Sequence, residues 1–482
     1  MSAETDTTEK KISADQKAKK LTPPYQKLLN LADSYLIDLE CLREMFSTVI
    51  PVLQEQDRER KDRINKIIDN LKTEQREEGG KITINLIGAS ANELIQTVRK
   101  LTRAESLFRR ESIVSLVSRF DEFFGSLLRI VLQRNPEWLK TNNKTLTYKE
   151  LIELKSVEKA ITGVIEKEVD ELMRGSKEEQ IDYIDSKLKL GIRENFNHLP
   201  ELLETAERRN LFAHTGGRVS QQFLDKCGKF KFQLSEETKI GKLIAIDDDY
   251  FNRSFERFFE AGLRISQAVY RRLFPEELDA ADKALNHLAI KFLNSGDWYI
   301  ADVICDYYAN IPEALRTSNL QYYYFALINR AIAQKGLARN FEKGLQGVHW
   351  DSFHPKYKLA VSVLRDNFEE AGKLMRNQAV IEEVTEHGFR TWPLFRDFRE
   401  SAEFKSAYFD SFGNEYSLTE KDLETEIGEL AEPVTAESKL RCNDGVDEAE
   451  TPVVDDTGFP EQPSALDADQ IQTRTIESET KS

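Results

Sequence analysis

The stretch LPELLETAERRNLFAHTGG, residues 199–217, combines an amphipathic helix, a polar cluster and a helix stop. Its apolar residues recur at helical spacing: Leu199, Leu202, Leu203 and Ala206. That spacing predicts a helix with one buried face. Thr215 is followed by Gly216 and Gly217, which predict the end of the helix, because glycine adopts the left-handed cap conformation without a steric penalty at Cβ.

A polar cluster occupies the last turns of this predicted helix: Arg208, Arg209, Asn210 and His214. A histidine titrates near neutral pH, and beside fixed cations it suits proton transfer at a phosphate ester. On an ideal helix Asn210 and His214 share a face, whereas Arg209 lies about 140° around the axis from His214. One helix therefore does not assemble a tight catalytic site by itself.

The net charge of −16 over 482 residues is unevenly distributed along the chain. Residues 420–482 contain 18 acidic and 5 basic residues, and they account for −13 of that charge. Because the remainder is close to neutral, the acidic balance does not exclude a locally basic nucleic-acid site.

The cysteines and the apolar runs indicate the class of protein and its compartment. The four cysteines are scattered and form no CxxC pair: Cys41, Cys227, Cys305 and Cys442. This pattern argues against a zinc site or a disulfide framework and fits a reducing cytosol. No apolar run approaches the ~18 residues of a membrane span, and the polar first residues do not resemble a signal peptide. We therefore expect a cytoplasmic protein with no cofactor, no metal and no membrane contact.

The hydrophobic periodicity predicts an all-α chain in five parts. We expect a disordered N-terminus over 1–24, a helical accessory region over 25–104 and a multi-helix domain over 105–275. Helical repeats follow over 276–415, and an acidic disordered tail covers 416–482. Two exceptions to helix are expected, a short strand at 81–87 (KITINLI) and a small β-hairpin formed by 229–233 and 242–246.

The residues from 276 onward repeat with a period near 34. Ala289, Ala326 and Ala360 are separated by 37 and 34 residues and mark where two helices meet closely. This period is typical of tetratricopeptide-like arrays, although the middle unit matches poorly. The aromatic run at 322–325 (YYYF) predicts packing between helices or a concave face that binds a protein partner.

Around Arg209, Asn210 and His214 the sequence resembles the HEPN superfamily, whose α-helical domains carry an Arg-x(4–6)-His motif. The resemblance covers about 105–275 and includes the aromatic helix at 119–124 (RFDEFF) and the glycine pair after His214. It implies a metal-independent endoribonuclease that cleaves RNA through attack of the 2′-hydroxyl and leaves a 2′,3′-cyclic phosphate. It also implies a homodimer in which the two motifs face each other.

The chemistry assigns a role to each motif residue. His214 would be the general base on the 2′-hydroxyl or the general acid on the leaving oxygen, and Arg209 would hold the phosphate. Asn210 would orient the imidazole or the phosphate. Arg208 is either a second phosphate contact or an ordinary solvated surface arginine. A regulated toxin or antiviral defence effector fits this combination of modules by analogy.

Two alternatives remain open at the level of sequence. Arg193 and His198 also satisfy the Arg-x(4)-His pattern, but the charge of Glu194 would repel a phosphate, so we prefer His214. The motif residues can instead serve the fold, with Arg209 exposed or paired to Glu204 or Glu207. The chain would then be a non-catalytic helical scaffold that binds RNA or protein partners.

Overall fold

The computed structural model describes residues 22–75, 89–141 and 156–417, and within them the chain is predominantly helical, which confirms the predicted all-α class. The α-helices are α1 (Pro24–Gln75), α2 (Ala89–Arg134), α3 (Val157–Arg174), α4 (Lys177–Leu188), α5 (Ile192–Asn195), α6 (Leu199–Thr215), α7 (Gln221–Lys229), α8 (Asp248–Leu273), α9 (Leu278–Asn294), α10 (Trp298–Ala309), α11 (Gln321–Gly336), α12 (Glu342–Leu345), α13 (Pro355–Leu364), α14 (Phe368–Met375), α15 (Gln378–Glu383), α16 (Glu386–Thr391), α17 (Arg396–Arg399) and α18 (Ala402–Phe412). Short 3-10 helices cover Pro136–Thr141, Pro275–Glu277, Glu313–Leu315, Trp350–Ser352 and Pro393–Phe395.

The three longest of these helices, α1, α2 and α8, pack together around an aromatic core. The ring of Tyr35 on α1 stacks on Phe123 of α2 with a centroid distance of 4.4 Å. Phe120 of α2 meets Phe258 of α8 edge to face at 5.4 Å. The Tyr35 hydroxyl donates a hydrogen bond of 2.9 Å to the carbonyl of Phe258, so its one polar atom is satisfied inside the core.

The boundary predicted between residues 104 and 105 falls inside α2, which runs unbroken from Ala89 to Arg134. The physical reason is local: no glycine or proline occurs between residues 91 and 124 to end the helix. Side chains of α1 contribute to the same core as those of α2 and α8, and so do those of the helices after residue 275. All described residues belong to one compact unit, Met1–Ile427. The predicted strand at 81–87 lies outside the described residues.

Helix α6 packs its apolar face against α2 and α8. Its predicted apolar residues are all buried: Leu199, Leu202, Leu203 and Ala206. The helix ends at Thr215, and Gly216 follows with the left-handed backbone angle φ of 61°. The predicted helix and its glycine stop are therefore confirmed.

The predicted hairpin between 229–233 and 242–246 is wrong. Lys229 is the last residue of α7, and within the described residues the segment at 242–244 pairs with 217–219 instead. Val219 donates from its backbone nitrogen to the carbonyl of Lys242, and Ile244 donates to the carbonyl of Gly217, both at 2.9 Å. This pairing forms an isolated antiparallel bridge. Val219 and Ile244 thereby join a small apolar cluster beside α6. The burial of these two side chains favours the pairing of 242–244 with 217–219.

After residue 275 the described chain forms packed helices, from α9 to α18. The alanines that marked the repeat are buried on α9, α11 and α13: Ala289, Ala326 and Ala360. In the part of the chain where the predicted middle unit matches poorly, the helix after α11 is only Glu342–Leu345. Assignment to the tetratricopeptide-like class stays a prediction. No helix in the described part of the chain is long and apolar enough to cross a membrane.

Candidate functional site

His214 lies in the last turn of α6 with its side chain exposed to solvent. It forms no hydrogen bond with another described residue, so both ring nitrogens are accessible. The neighbouring Thr215 hydroxyl donates to the carbonyl of Leu211 at 2.9 Å, inside the same helix. The imidazole therefore lies at the end of the helix, exposed to a ligand, and no described residue fixes its tautomer.

Arg209 is half-buried and turned toward α2. Its Nη2 donates to Oδ2 of Asp121 at 2.8 Å, while the ammonium of Lys177 lies against the other carboxylate oxygen. Burial lowers the pKa of Lys177, and the nearby charge of Arg209 lowers it further. The sequence had suggested Glu204 or Glu207 as carboxylate partners, so the observed partner differs from both.

Asn210 shares the helical face of His214 and contacts a carboxylate. Its Nδ2 lies 3.3 Å from Oε2 of Glu207, and Lys226 donates to Oε1 of the same residue at 2.7 Å. The lysine therefore balances the charge of Glu207. Among the motif residues, Asn210 and His214 are brought to one face, and Arg209 is not.

Arg208 is neither an exposed phosphate contact nor a solvated surface arginine, and both expectations are corrected. The residue is 8% exposed. Its Nε donates to Oε1 of Glu204 at 2.8 Å, and its guanidinium lies over the ring of Tyr250 at 3.8 Å. The aliphatic stem and the planar guanidinium of Arg208 both pack inside the fold, between α6 and the start of α8.

Glu204 is the centre of this buried cluster. It is 1% exposed and accepts hydrogen bonds from Arg208 and from the Tyr250 hydroxyl, the latter at 2.7 Å. Desolvation, together with the charge of Glu204, raises the pKa of Tyr250, so the phenol remains protonated as a donor. Burial also raises the pKa of the nearby Cys227 thiol to about 12. Glu204, Arg208 and Tyr250 therefore bind one another inside the fold.

Two other arginines lie close to His214 in the chain or in space. Arg110 of α2 donates from Nη1 to the carbonyl of Gly216 at 3.2 Å, and its guanidinium lies 5.9 Å from the ring centroid of Phe212. Arg218 donates to the carbonyl of Gly241 at 3.1 Å. Both bind neutral carbonyl groups here, so their charges are not cancelled by these contacts. Arg110 was missed from the sequence because it is 106 residues from Gly216 and lies in no motif.

Arg193 and His198, the second pair that matches the motif, bind different groups in the structure. The guanidinium of Arg193 is bound to Asp182 through two contacts of 2.6 Å, and Glu178 adds a third at 3.1 Å. His198 instead contacts Oε2 of the buried Glu260 through Nδ1 at 2.8 Å. Arg193 and His198 therefore face different partners, and the pair does not form one site. His198 itself is an imidazole oriented by a carboxylate, a feature that sequence analysis did not find.

Asp247 and the two acidic residues after it begin α8. The Asp247 side chain accepts a hydrogen bond from the Tyr250 nitrogen at 2.7 Å, as a helix cap does. The acidic run is therefore the start of a helix. In the described ranges no three histidine, cysteine or acidic side chains converge in a way that would hold a metal ion.

The fold and the motif define a helical protein with an exposed histidine at a helix end. No protein-family model matches the chain, and no curated protein or solved structure is significantly similar to it. The resemblance to the HEPN superfamily therefore rests on the motif residues and their setting in the sequence.

Proposed function

We propose that this chain is a metal-independent endoribonuclease of the HEPN type. The observation that carries the proposal is the exposed imidazole of His214 at the end of α6, with Asn210 on the same face. Arg110 and Arg218 add positive charge near that helix end, as a polyanionic substrate requires. The site uses side chains alone for proton transfer and for charge stabilisation.

In this mechanism His214 removes the proton of a ribose 2′-hydroxyl, and the oxygen attacks the adjacent phosphorus. The bond from phosphorus to the 5′-oxygen breaks, and that oxygen takes a proton from an imidazolium or from water. The products are a 2′,3′-cyclic phosphate and a 5′-hydroxyl. Charge develops on the non-bridging oxygens during attack, and guanidinium groups stabilise it there.

Arg209 would bind the phosphate through guanidinium nitrogens that do not donate to Asp121. Only Nη2 donates to Asp121, and Nη1 has no hydrogen-bond partner among the described residues. Because Arg209 and His214 point about 140° apart on one helix, we propose that a second copy of the chain completes each site. The helices after residue 275 would bind a protein partner and regulate a toxin or defence ribonuclease.

The test is cleavage of single-stranded and structured RNA by the full-length protein in EDTA. We expect products with cyclic-phosphate ends and a loss of at least about 100-fold in rate for His214→Ala, since positioned acid–base groups contribute that much. His354→Ala is the matched control, because that histidine accepts only a backbone hydrogen bond at the start of α13. Equal rates for native protein and His214→Ala would refute the assignment of this site.

A non-catalytic scaffold is the second candidate function, and one observation favours it. Both Arg208 and Arg209 are bound to carboxylates. Fewer cations are therefore free to bind a phosphate than the motif implies. In that case the native protein and His214→Ala would bind RNA or a protein equally well and neither would cleave RNA. Measuring binding and cleavage on the same samples separates the two functions.

A further inference from the structure

A pocket of about 330 Å³ opens beside the loop that joins α10 to α11. Its volume falls at the lower end of the range for small-molecule sites. Five polar side chains that line it matter for its chemistry: Glu313, Arg316, Thr317, Ser318 and Asn319. None of the motif residues on α6 belongs to this pocket, so a ligand bound there would act apart from the proposed ribonuclease site.

Arg316 is the cation of the pocket, and no carboxylate among the described residues pairs with it. Its guanidinium lies over the ring of Tyr323 at 4.2 Å, a contact that fixes the plane of the fork. Its Nη1 is buried and has no hydrogen-bond partner in the described part of the chain. Arg316 as a whole is half-buried and lines the pocket, and a guanidinium there with no carboxylate partner among the described residues is a feature that a bound anion would explain.

The start of α11 adds donors to the same pocket. Leu320 occupies the N-cap position and offers no side-chain oxygen, and the first turn contains no acidic residue. The Gln321 nitrogen already donates to the Asn319 side chain, and the other backbone N–H groups of the first turn carry the positive end of a 16-residue helix. Thr317 and Ser318, which carry hydroxyl groups, also line the pocket. Glu313 is the one carboxylate of the lining, and it is exposed to solvent.

Two hydrogen bonds fix the backbone of the loop that carries these groups. Arg271 donates to the carbonyl of Leu315 at 2.8 Å, and the backbone nitrogen of Thr317 donates to Asp282 at 2.9 Å. Asp282 is fully buried and also accepts hydrogen bonds from Arg271 and from the Tyr308 hydroxyl. A loop fixed in this way presents Arg316 in one geometry, which reduces the entropy lost when a ligand binds.

We propose that this pocket binds the phosphate group of a small phosphomonoester. The fork of Arg316 suits two phosphate oxygens, and the hydroxyls of Thr317 and Ser318 and the N–H groups in the first turn of α11 that Asn319 leaves free suit the others. The proposal concerns binding alone and does not depend on the ribonuclease. The loop that would hold a phosphorylated metabolite is connected to α8 and α10 through Asp282.

The experiment is isothermal titration of the full-length protein at constant ionic strength with inorganic phosphate, ribose 5-phosphate and acetate. We expect saturable binding of both phosphates and weaker binding of acetate. Arg316→Gln should weaken phosphate binding by about 10- to 100-fold, the usual effect of losing charge-assisted hydrogen bonds. Arg253→Gln removes the same charge from an exposed position on α8 and should leave the affinity unchanged.

A second variant keeps the proposal testable if Arg316→Gln fails to fold by circular dichroism. Asn319→Asp retains the side-chain oxygen that accepts the Gln321 nitrogen at 3.1 Å and adds a negative charge to the lining. It should weaken phosphate binding by about 10-fold through repulsion. Absence of saturable phosphate binding, unchanged affinity in the variants, or acetate binding as tight as phosphate would overturn the proposal.

Discussion

Arg209 donates from Nη2 to Oδ2 of Asp121 at 2.8 Å, and this ion pair joins α6 to α2. Lys177, at the start of α4, lies against the other oxygen of the same carboxylate, and its side chain is 8% exposed. One carboxylate therefore balances two cations that come from two helices. The motif arginine is held as part of the fold before any ligand binds.

Asp121→Asn should reduce the free energy of unfolding by about 1–3 kcal/mol. The substitution leaves Arg209 and the buried Lys177 close together without a counter-charge, and an uncompensated buried charge is strongly destabilising. Urea unfolding at neutral pH, followed by tryptophan fluorescence, measures the change. The double variant Asp121→Asn, Lys177→Met should recover part of the loss, because it removes one of the two repelling cations.

The matched control for Asp121 is Asp38→Asn on α1. The Asp38 carboxylate is 51% exposed and lies 3.7 Å from Arg119, so this pair is screened by solvent. We expect a change below about 0.5 kcal/mol, as for other exposed ion pairs. Similar losses for the two variants would show that Asp121 does not hold a buried network.

Local rules were enough to predict several helix ends. The spacing of Ser176 and Glu179 in the sequence is that of a reciprocal helix cap, and the structure shows one: Glu179 donates its backbone nitrogen to Ser176 Oγ at 3.2 Å and accepts from the Ser176 nitrogen at 2.7 Å. Gly216 ends α6 as expected. Both features depend on residues within four positions of each other, so sequence spacing contains the information.

Tertiary contacts were not predictable in the same way. The carboxylate partner of Arg209 is 88 residues away in the chain, and nothing near the motif indicates Asp121. Arg208 is buried because Tyr250 and Glu204 enclose it, although charged residues are mostly exposed. The motif residues therefore lie on the helix that the sequence predicted, while the direction of its arginines depended on packing between helices.

Gly262→Ala should destabilise the protein by roughly 2 kcal/mol or more. A Cβ atom at this position of α8 would overlap the ring of Tyr35, which is 3% exposed and stacked on Phe123. Overpacking of this kind usually outweighs the better helix propensity of alanine. Thermal and urea unfolding measure the effect. Combining it with Tyr35→Ala should cost less than the sum of the single changes, since the overlap is then absent.

Gly163→Ala in α3 is the control for this substitution. Apart from its chain neighbours and the backbone of its own helix turn, no atom of the described residues lies within 4 Å of the Cβ position there, so the added methyl group meets open space. We expect a gain of about 0.5–1 kcal/mol from the lower entropy of the unfolded chain and the better helix propensity. A comparable loss at both glycines would refute the close approach of α1 and α8 as the cause.

Glu260→Gln should destabilise the protein at neutral pH by about 2–4 kcal/mol, and the difference should shrink in acid. Burial alone would raise the pKa of Glu260, but hydrogen bonds from His198 and Arg264, at 2.8 and 2.7 Å, hold the pKa below its ordinary value of 4.5. The folded state therefore binds this proton less readily than the unfolded state does. The stability that the carboxylate contributes is present above pH 4.5 and is lost as the pH falls through the lowered pKa.

Glu256→Gln, one turn earlier on α8, should have the opposite effect on the stability of the protein at neutral pH. Burial raises the pKa of Glu256 above 4.5, so its charged form destabilises the folded state at neutral pH. Removing that charge should leave the protein as stable or more stable at pH 7, and any advantage should disappear as the pH falls toward 4.5. Urea unfolding of both variants from neutral to acidic pH measures these differences. A difference that stays constant with pH in both variants would contradict the assigned environments, because only groups with shifted pKa values make stability depend on pH.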